Sequence, residues 1–196
     1  MDHLALTVEG DRQRMTDLPF LDDLHVGQRF TSTSHVVDAG QIKRFAAEFD
    51  PQPFHLDEDA AANSLFAGLA ASGWHTAALT MRLLVMGGVP FAGGIVGAGA
   101  EIAFPRPTRP GDELQVVSEV TEITPSRTKP DRGIVVMRNE TRNQRGEVVL
   151  VLTAKLVVPR TPQASASPSN SRRDEVMAAT NAHERNDYSL PGDRHE

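Results

Sequence analysis

Asp50 and His55 are the residues of this chain whose types and spacing are best suited to proton transfer. Pro51 and Pro53 stand between them, and proline stiffens a loop, which reduces the entropy lost in holding both side chains in a fixed relation. Large apolar residues flank both positions, so we expect partial burial. Burial raises the pKa of a carboxyl group and lowers that of an imidazole, which brings both towards neutrality, where acid–base catalysis works best. A water molecule held between them would be a nucleophile for hydration.

The same two residues also have a purely structural interpretation. In it, Asp50 is a turn former that ends a helix, and His55 is a hydrogen-bonded histidine of the core. Because short motifs often occur by chance, the spacing alone favours this structural interpretation.

The second candidate feature is Ser72-Gly73-Trp74, at the start of a predicted helix. A helix N-terminus presents unpaired N–H groups and a partial positive charge. A glycine there lets a substrate carbonyl approach the backbone, and one such oxyanion donor contributes about 2.7–4 kcal/mol where it has been measured. The alternative is that Gly73 only relieves crowding before Trp74, since glycine is common wherever backbones crowd.

A strand and a capped helix are predicted to position the first pair. The strand is an edge strand over Leu24 to Val37, entered through a turn at Gly27. Asp38 then begins a helix as its N-cap, with Gln41 completing a capping box. Asp50-Pro51 ends this helix, because a residue before proline is disfavoured in the helical region. Its apolar face, at helical spacing, comprises Ile42, Phe45, Ala46 and Phe49.

A short second helix follows the loop, and a third helix runs from Gly73 to Gly87-Gly88. We expect the third helix to be the most buried of the three, because its apolar face is broad. The residues of that face are Trp74, Ala77, Ala78, Met81, Leu84 and Val85.

Four strands are predicted after the helices: Ile95 to Phe104, Glu113 to Ile123, Ile134 to Asn143 and Val148 to Val158. Strands that follow segregated helices indicate the α+β class with an antiparallel sheet rather than a βαβ nucleotide fold. Open apolar edges and a small sheet favour a homodimer. Residues 1–17 are interpreted as an N-terminal extension, 18–160 as the folded domain, and 161–196, rich in Ser, Pro and Asn, as a disordered tail.

Composition restricts the possible functions. The chain has no cysteine, which excludes disulfides, thiolate metal sites and a cysteine nucleophile. Its formal charge of -6 and the lack of a dense basic cluster argue against nucleic acid as a partner. No metal-ligand spacing and no phosphate loop is present. No apolar stretch reaches the length of a membrane span, and the first residues lack the core of a signal peptide, so a cytoplasmic location is expected.

The segment FDPQPFHLDEDAAANSLFAGLAASGW resembles the MaoC-like dehydratase family, which includes the (R)-specific enoyl-CoA hydratases. The family signature is an Asp, a polar residue, Pro, an apolar residue, His and a further Asp. A short helix, a Phe and a small-residue segment follow, and the segment ends in Gly at the head of a long helix. The turn FPRPTRPGDEL also resembles the family, and the similarity extends from about Leu24 to Val158. The matching positions are Asp50, Pro53, His55, Asp57, Phe66 and Gly73.

This resemblance implies a hotdog fold, in which an antiparallel sheet wraps around a long central helix and dimerises into a shared sheet. It implies an acyl-CoA thioester as the substrate and no cofactor. Asp50 and His55 would activate water and handle the substrate α-proton, while the N–H of Gly73 would polarise the thioester carbonyl. The chain departs from the family at Gln52, where Asn is common, and at Ser72, where His is common. The expected substrate-binding residues are Gln52, Pro53, Ser72 and Trp74.

Three functions remain open on the sequence. The first is a hydro-lyase that reversibly adds water to a 2-enoyl-CoA, giving a 3-hydroxyacyl-CoA of R configuration. The second is a hotdog acyl-CoA thioesterase, against which the paired Asp50 and His55 argue. The third is a non-catalytic hotdog subunit that binds acyl-CoA. Arg106 and Arg109 could supply the local basic groups that an anionic acyl-CoA needs, although scattered surface arginines are the commoner explanation.

Overall fold

The computed structural model describes residues 18–162. The predicted extension at 1–17 and the predicted tail, apart from residues 161 and 162, lie outside the described residues. Within them the elements are a 3-10 turn at Leu21–Asp23, strand β1 (Arg29–Val36), helices α1 (Ala39–Phe49), α2 (Pro53–Leu56), α3 (Glu58–Ala62) and α4 (Gly73–Leu83), a π-helical turn at Leu84–Gly88, and strands β2 (Val96–Ala103), β3 (Glu113–Pro125), β4 (Arg132–Arg142) and β5 (Val148–Pro159).

The five strands form one antiparallel sheet in the order β1-β3-β4-β5-β2. The prediction of an α+β fold with an antiparallel sheet and a central helix is confirmed, as are the hairpin between β4 and β5 and the edge position of β1. β1 begins later than predicted, because the N–H of Gln28 bonds to the carbonyl of His25 in a turn and Leu21–Asp23 form the 3-10 turn before it. Gly27 adopts a positive φ of 87°, a conformation that favours glycine there.

The core lies between the sheet and the helices. Alternate residues of β3 and β4 are buried, as expected for strands with one face towards the core. The largest fully buried apolar side chains come from several elements and the loop after α4, which joins sheet and helices into one cluster. They include Phe91, Ile42, Leu114, Met137 and Leu150.

Helix α1 is capped as predicted at its start, where Asp38 accepts a hydrogen bond of 2.8 Å from the N–H of Gln41. The second half of the predicted capping box is wrong, because the side-chain oxygen of Gln41 lies 3.2 Å from His35 Nε2 instead. Ile42 and Ala46 of the predicted face are buried, but Phe49 is 63% exposed. The helix ends at Asp50, as the following proline predicted.

Helix α4 has the predicted start, but its predicted buried face is correct only in part. Leu84 is buried and Ala77 packs against the core. Trp74, Met81 and Val85 are 63%, 43% and 65% exposed. The side of the helix that faces the core combines leucines with polar residues, whereas Trp74, Met81 and Val85 lie on the outside. The buried residues of the helix are His75, Thr76, Leu79, Thr80 and Leu83.

Among the described residues, no helix is both long and apolar enough to cross a membrane. Nor do any three His, Asp or Glu side chains of residues 18–162 stand close enough together to hold a metal ion.

His75 gives the fold a pH dependence. Its ring stacks on Phe45 with centroids 4.7 Å apart, and it is 6% exposed. Burial lowers the pKa of His75 below 6.5, the nearby His35 acts in the same direction, and Asp38 opposes. The unfolded chain therefore binds more protons than the folded chain in the interval below pH 6.5, so stability falls as the pH falls through that interval.

We expect the His75→Phe variant to lose this part of the pH dependence, because phenylalanine can keep the stack and does not titrate. The measurement is the free energy of unfolding in urea at pH 7.5 and at pH 5.5, for the wild type and the variant. An equal loss of stability in both proteins on acidification would contradict the assignment to His75.

Candidate active site

Asp50 and His55 are brought together by the end of α1 and the single turn of α2. The N–H of Asp50 closes α1 on the carbonyl of Ala46, and the carbonyl of Asp50 accepts a hydrogen bond of 2.7 Å from the N–H of Gln52. Pro53 occupies the first turn of α2, a position where its fixed φ suits the helix and its missing N–H is not needed. These contacts turn the chain so that the side chains of Asp50 and His55 approach each other.

The imidazole of His55 is 4% exposed and has a fixed tautomer. Its Nδ1 lies 2.7 Å from the carbonyl oxygen of Ala70, and a carbonyl only accepts, so Nδ1 carries the proton. The rings of Phe54 and Phe66 pack against the imidazole, with centroids 4.6 and 5.8 Å away. In the neutral ring, Nε2 therefore has the free lone pair, and it lies 3.5 Å from Oδ2 of Asp50.

The carboxylate of Asp50 accepts from two side chains. Ser72 Oγ donates to Oδ2 at 2.6 Å, and Gln52 Nε2 donates to Oδ1 at 2.7 Å. The hydrogen bond from Ser72 lowers the pKa of Asp50, with Gln52 and the nearby His55 acting in the same direction, while burial opposes them. The expectation that burial would raise this pKa is wrong, because the donors outweigh the desolvation. Asp50 is an anion at neutral pH.

Gly73 is the first residue of α4, and the helix leaves the N–H groups of its first turn without a helical partner. A Cβ at this position would lie 3.1 Å from two atoms of the Phe104 ring, so a side chain here would press on that ring. The glycine thus relieves crowding with Phe104, and it also lines the cavity described next.

A cavity of about 330 Å³ adjoins both His55 and Gly73. Asp50 does not line this cavity, and its carboxylate is connected to it through the contact with His55. The lining is mostly apolar with two buried threonines, an arrangement suited to a small-molecule site. The residues are His55, Phe66, Ala71, Gly73, Thr76, Phe104, Pro105, Arg106, Pro107, Thr108 and Val149.

The two arginines near the cavity have different roles. The guanidinium of Arg109 donates to the carbonyls of Phe66, Gly68 and Leu69. These bonds connect the loop before α4 to the loop between β2 and β3. Arg106 lines the cavity and is exposed. Of the two arginines, Arg106 is therefore the better placed to meet an anionic group.

The remaining predicted site residues lie around the pair without lining the cavity. Gln52 is exposed on the loop and Pro53 is exposed at the start of α2, and Gln52 directs its amide at Asp50 rather than at the cavity. Ser72 is 1% exposed, and Trp74 points outwards at 63%. Phe104 and Thr108, which do line the cavity, were not predicted. The FPRPTRPGDEL turn that contains them was the signal for them in the sequence.

Residues 24–142 match the family described as the MaoC like domain. The chain belongs to the MaoC-like family. It is 64% identical to a MaoC-like dehydratase from Rhodospirillum rubrum, whose crystal structure gives a TM-score of 0.73 over 74% of this chain and 99% of that one. An R-hydratase from Pseudomonas aeruginosa is 28% identical, with a TM-score of 0.59 over 76% of this chain and 94% of that one. The uncharacterised protein YdeM of Bacillus subtilis is 38% identical over 64% of this chain and 88% of its own length.

The MaoC-like match confirms the predicted family and the hotdog fold of a five-stranded antiparallel sheet with a central helix. It begins at the predicted residue 24 and ends at residue 142, before β5. The match to this family and to an R-hydratase supports a hydratase or dehydratase role. The motif positions His55 on α2 and Gly73 at the head of α4 lie apart in the sequence but line the same cavity.

Proposed function

We propose that this protein catalyses the reversible addition of water to a 2-enoyl-CoA, giving a 3-hydroxyacyl-CoA of R configuration. The observation that carries the proposal is the approach of His55 Nε2 to 3.5 Å from the carboxylate of Asp50, beside a cavity that reaches the N-terminus of α4. The similarity to an R-hydratase of 28% identity supports the same reaction and the same configuration.

The two groups suit a shared water molecule better than a direct bond. Nδ1 of His55 carries the ring proton, so Nε2 and the carboxylate of Asp50 are both acceptors in the neutral pair. A separation of 3.5 Å exceeds the usual length of a hydrogen bond. A water that donates one hydrogen to each acceptor directs its lone pairs away from both, towards the substrate.

The ionisation state of Asp50 decides which group accepts the proton of the attacking water. A carboxylate whose pKa is held low is a weak base, so the proton of the attacking water passes to His55 Nε2. The water oxygen forms the new bond to C3 of the enoyl group, and the C2=C3 electron pair moves towards the thioester carbonyl. The imidazolium, stabilised by Asp50, then returns the proton to C2. No cofactor is consumed, and the atoms balance as enoyl thioester plus water.

Negative charge develops on the thioester oxygen during this step. The amide of Gly73 is the donor proposed for it, because an N–H at a helix N-terminus adds the helix dipole to its own hydrogen bond. Arg106, at the edge of the cavity, is proposed to meet a phosphate of the CoA moiety.

The test is a spectrophotometric screen of trans-2-enoyl-CoAs of varied length and branching, with the configuration of the product determined. Loss of the enoyl absorbance with formation of the R product supports the proposal. Release of free CoA thiol would instead identify a thioesterase. An inert protein that pairs tightly with a homologous subunit would identify a non-catalytic partner.

We also infer that the protein acts as a homodimer through α4 and β2. Trp74 and Met81 of α4 and Val85 of the π-helical turn after it form an exposed apolar stripe, and β2 is an edge strand whose residues are all exposed. The Phe104 ring, just after β2, lies close to Gly73, which brings the end of β2 near the head of α4. Burying such a patch against a second copy removes apolar area from water and pairs the free strand edge.

We expect Met81→Glu to weaken self-association by about tenfold or more, because the dimer would bury an unpaired charge. The matched control is Ala47→Glu, which adds the same charge at an exposed position of α1. The measurement is sedimentation velocity over a dilution series. A dimer that tolerates Met81→Glu as well as Ala47→Glu would exclude this face as the interface.

A further inference from the structure

The hydroxyl of Ser72 connects the carboxylate of Asp50 to the first turn of α4. Its oxygen donates to Oδ2 of Asp50 at 2.6 Å and accepts from the N–H of Trp74 at 3.2 Å. Ser72 is 1% exposed and is the N-cap of α4. Its one proton and one of its lone pairs are therefore both used inside the protein.

The direction of these two hydrogen bonds is fixed by chemistry. A backbone N–H only donates and an ionised carboxylate only accepts, so the hydroxyl must pass from acceptor to donor between them. The two bonds then point the same way, from the positive end of α4 towards the negative charge of Asp50, and each polarises the other. Gly73, the proposed oxyanion donor, lies between the two residues that make this chain of bonds.

We propose that Ser72 is a positioning residue, whose hydroxyl holds the Asp50 carboxylate to the first turn of α4 and so aligns the water-binding pair with the amide of Gly73. This role differs from the expected contact with substrate. It rests on the proposed hydration for its functional meaning, but the hydrogen bond itself can be tested without any substrate.

Three variants separate the donor from the helix cap. Ser72→Ala removes both, Ser72→Gly removes the donor but keeps most of the cap, and Ser72→Thr keeps both. The proposed reaction needs both a neutral His55 and an ionised Asp50. In the Ala and Gly variants the acid limb of the pH profile of kcat/KM should therefore become steeper, because Asp50 then protonates at a higher pH than in the wild type. At a pH on that limb, kcat/KM should then fall about tenfold more than at the optimum, since a hydrogen bond to a charged group is lost. Ser72→Thr should restore the wild-type profile.

A second measurement does not depend on turnover. Asp50 can be titrated by carbon NMR of the full chain labelled in its aspartate carboxyl groups, with Asp50→Asn used to assign the signal. We expect the midpoint of Asp50 to rise in Ser72→Ala and Ser72→Gly and to stay at the wild-type value in Ser72→Thr. A glycine variant that loses activity equally at all pH values, or whose Asp50 titrates as in the wild type, would overturn the proposal.

The two readouts distinguish the possible failures. If the NMR midpoint moves as expected but the wild type hydrates no enoyl-CoA, the Ser72 contact stands and the proposed hydratase function fails. If hydration is observed and neither the midpoint nor the acid limb responds to Ser72→Gly, hydration stands and the positioning role of Ser72 fails.

Discussion

Replacement of Asp50 by asparagine should lower kcat/KM for hydration by roughly 10²- to 10⁴-fold, the range of a lost acid–base group. Asparagine has nearly the same shape, and its oxygen can still accept from Ser72. It has no negative charge to hold the water or to stabilise the His55 imidazolium. Its amide would face the donor of Gln52, but Gln52 is exposed and can turn its own oxygen inwards, so the fold should survive.

The control for this substitution is Asp59→Asn, which removes a carboxylate from an exposed position of α3 close in sequence to the site. It should leave kcat/KM within about twofold of the wild type, since exposed substitutions rarely change more than a few tenths of a kcal/mol. Circular dichroism and urea unfolding check that both variants are folded. An active Asp50→Asn protein would remove the basis of the proposed reaction.

Element order was predictable because it depends on local patterns. Asp38 before an apolar repeat, Pro51 after Asp50, and Gly146 in the last turn are signals that act within a few residues. The structure has a boundary near each of them, and Gly146 adopts the positive φ of a turn glycine. The family motif added the fold, since it relates distant segments that local patterns do not.

The orientation of α4 was not predictable from its own sequence. Apolar periodicity identified the stripe with Trp74 and Met81, but periodicity does not say what covers a stripe. The buried side of the helix carries Leu79 and Leu83 as well as polar residues, and Thr80 Oγ1 lies 2.6 Å from Thr141 Oγ1 of β4 there. A stripe left for another surface looks the same in sequence as one that faces the core.

The direction in which the pKa of Asp50 changes could also not be predicted from the sequence. Flanking apolar residues correctly indicated a shielded site, but the sign of the pKa change depends on which donors reach the carboxylate. Ser72 is 22 residues away in the chain and reaches Oδ2 only because α4 begins beside the end of α1. The departures from the family at Ser72 and Gln52 proved to be the two hydrogen-bond donors to Asp50.

The role of His55 is best tested by a variant that removes Nε2 but keeps the hydrogen bond from the Nδ1 position to the carbonyl of Ala70. Deleting the whole ring would leave the carbonyl of Ala70 without this buried donor, at a cost of about 1–3 kcal/mol, and an inactive protein could then be a destabilised one. In asparagine the amide nitrogen occupies about the position of Nδ1, so His55→Asn can still donate to Ala70. Nothing in it replaces the lone pair of Nε2.

We therefore expect His55→Asn to fold with nearly wild-type stability and to lose roughly 10²- to 10⁴-fold in kcat/KM for hydration. His25→Gln, at an exposed position before β1, is the matched control and should keep its activity. The measurements are steady-state hydration kinetics and unfolding in urea. An active His55→Asn enzyme would transfer the proton role to Asp50 alone and exclude the path through Nε2.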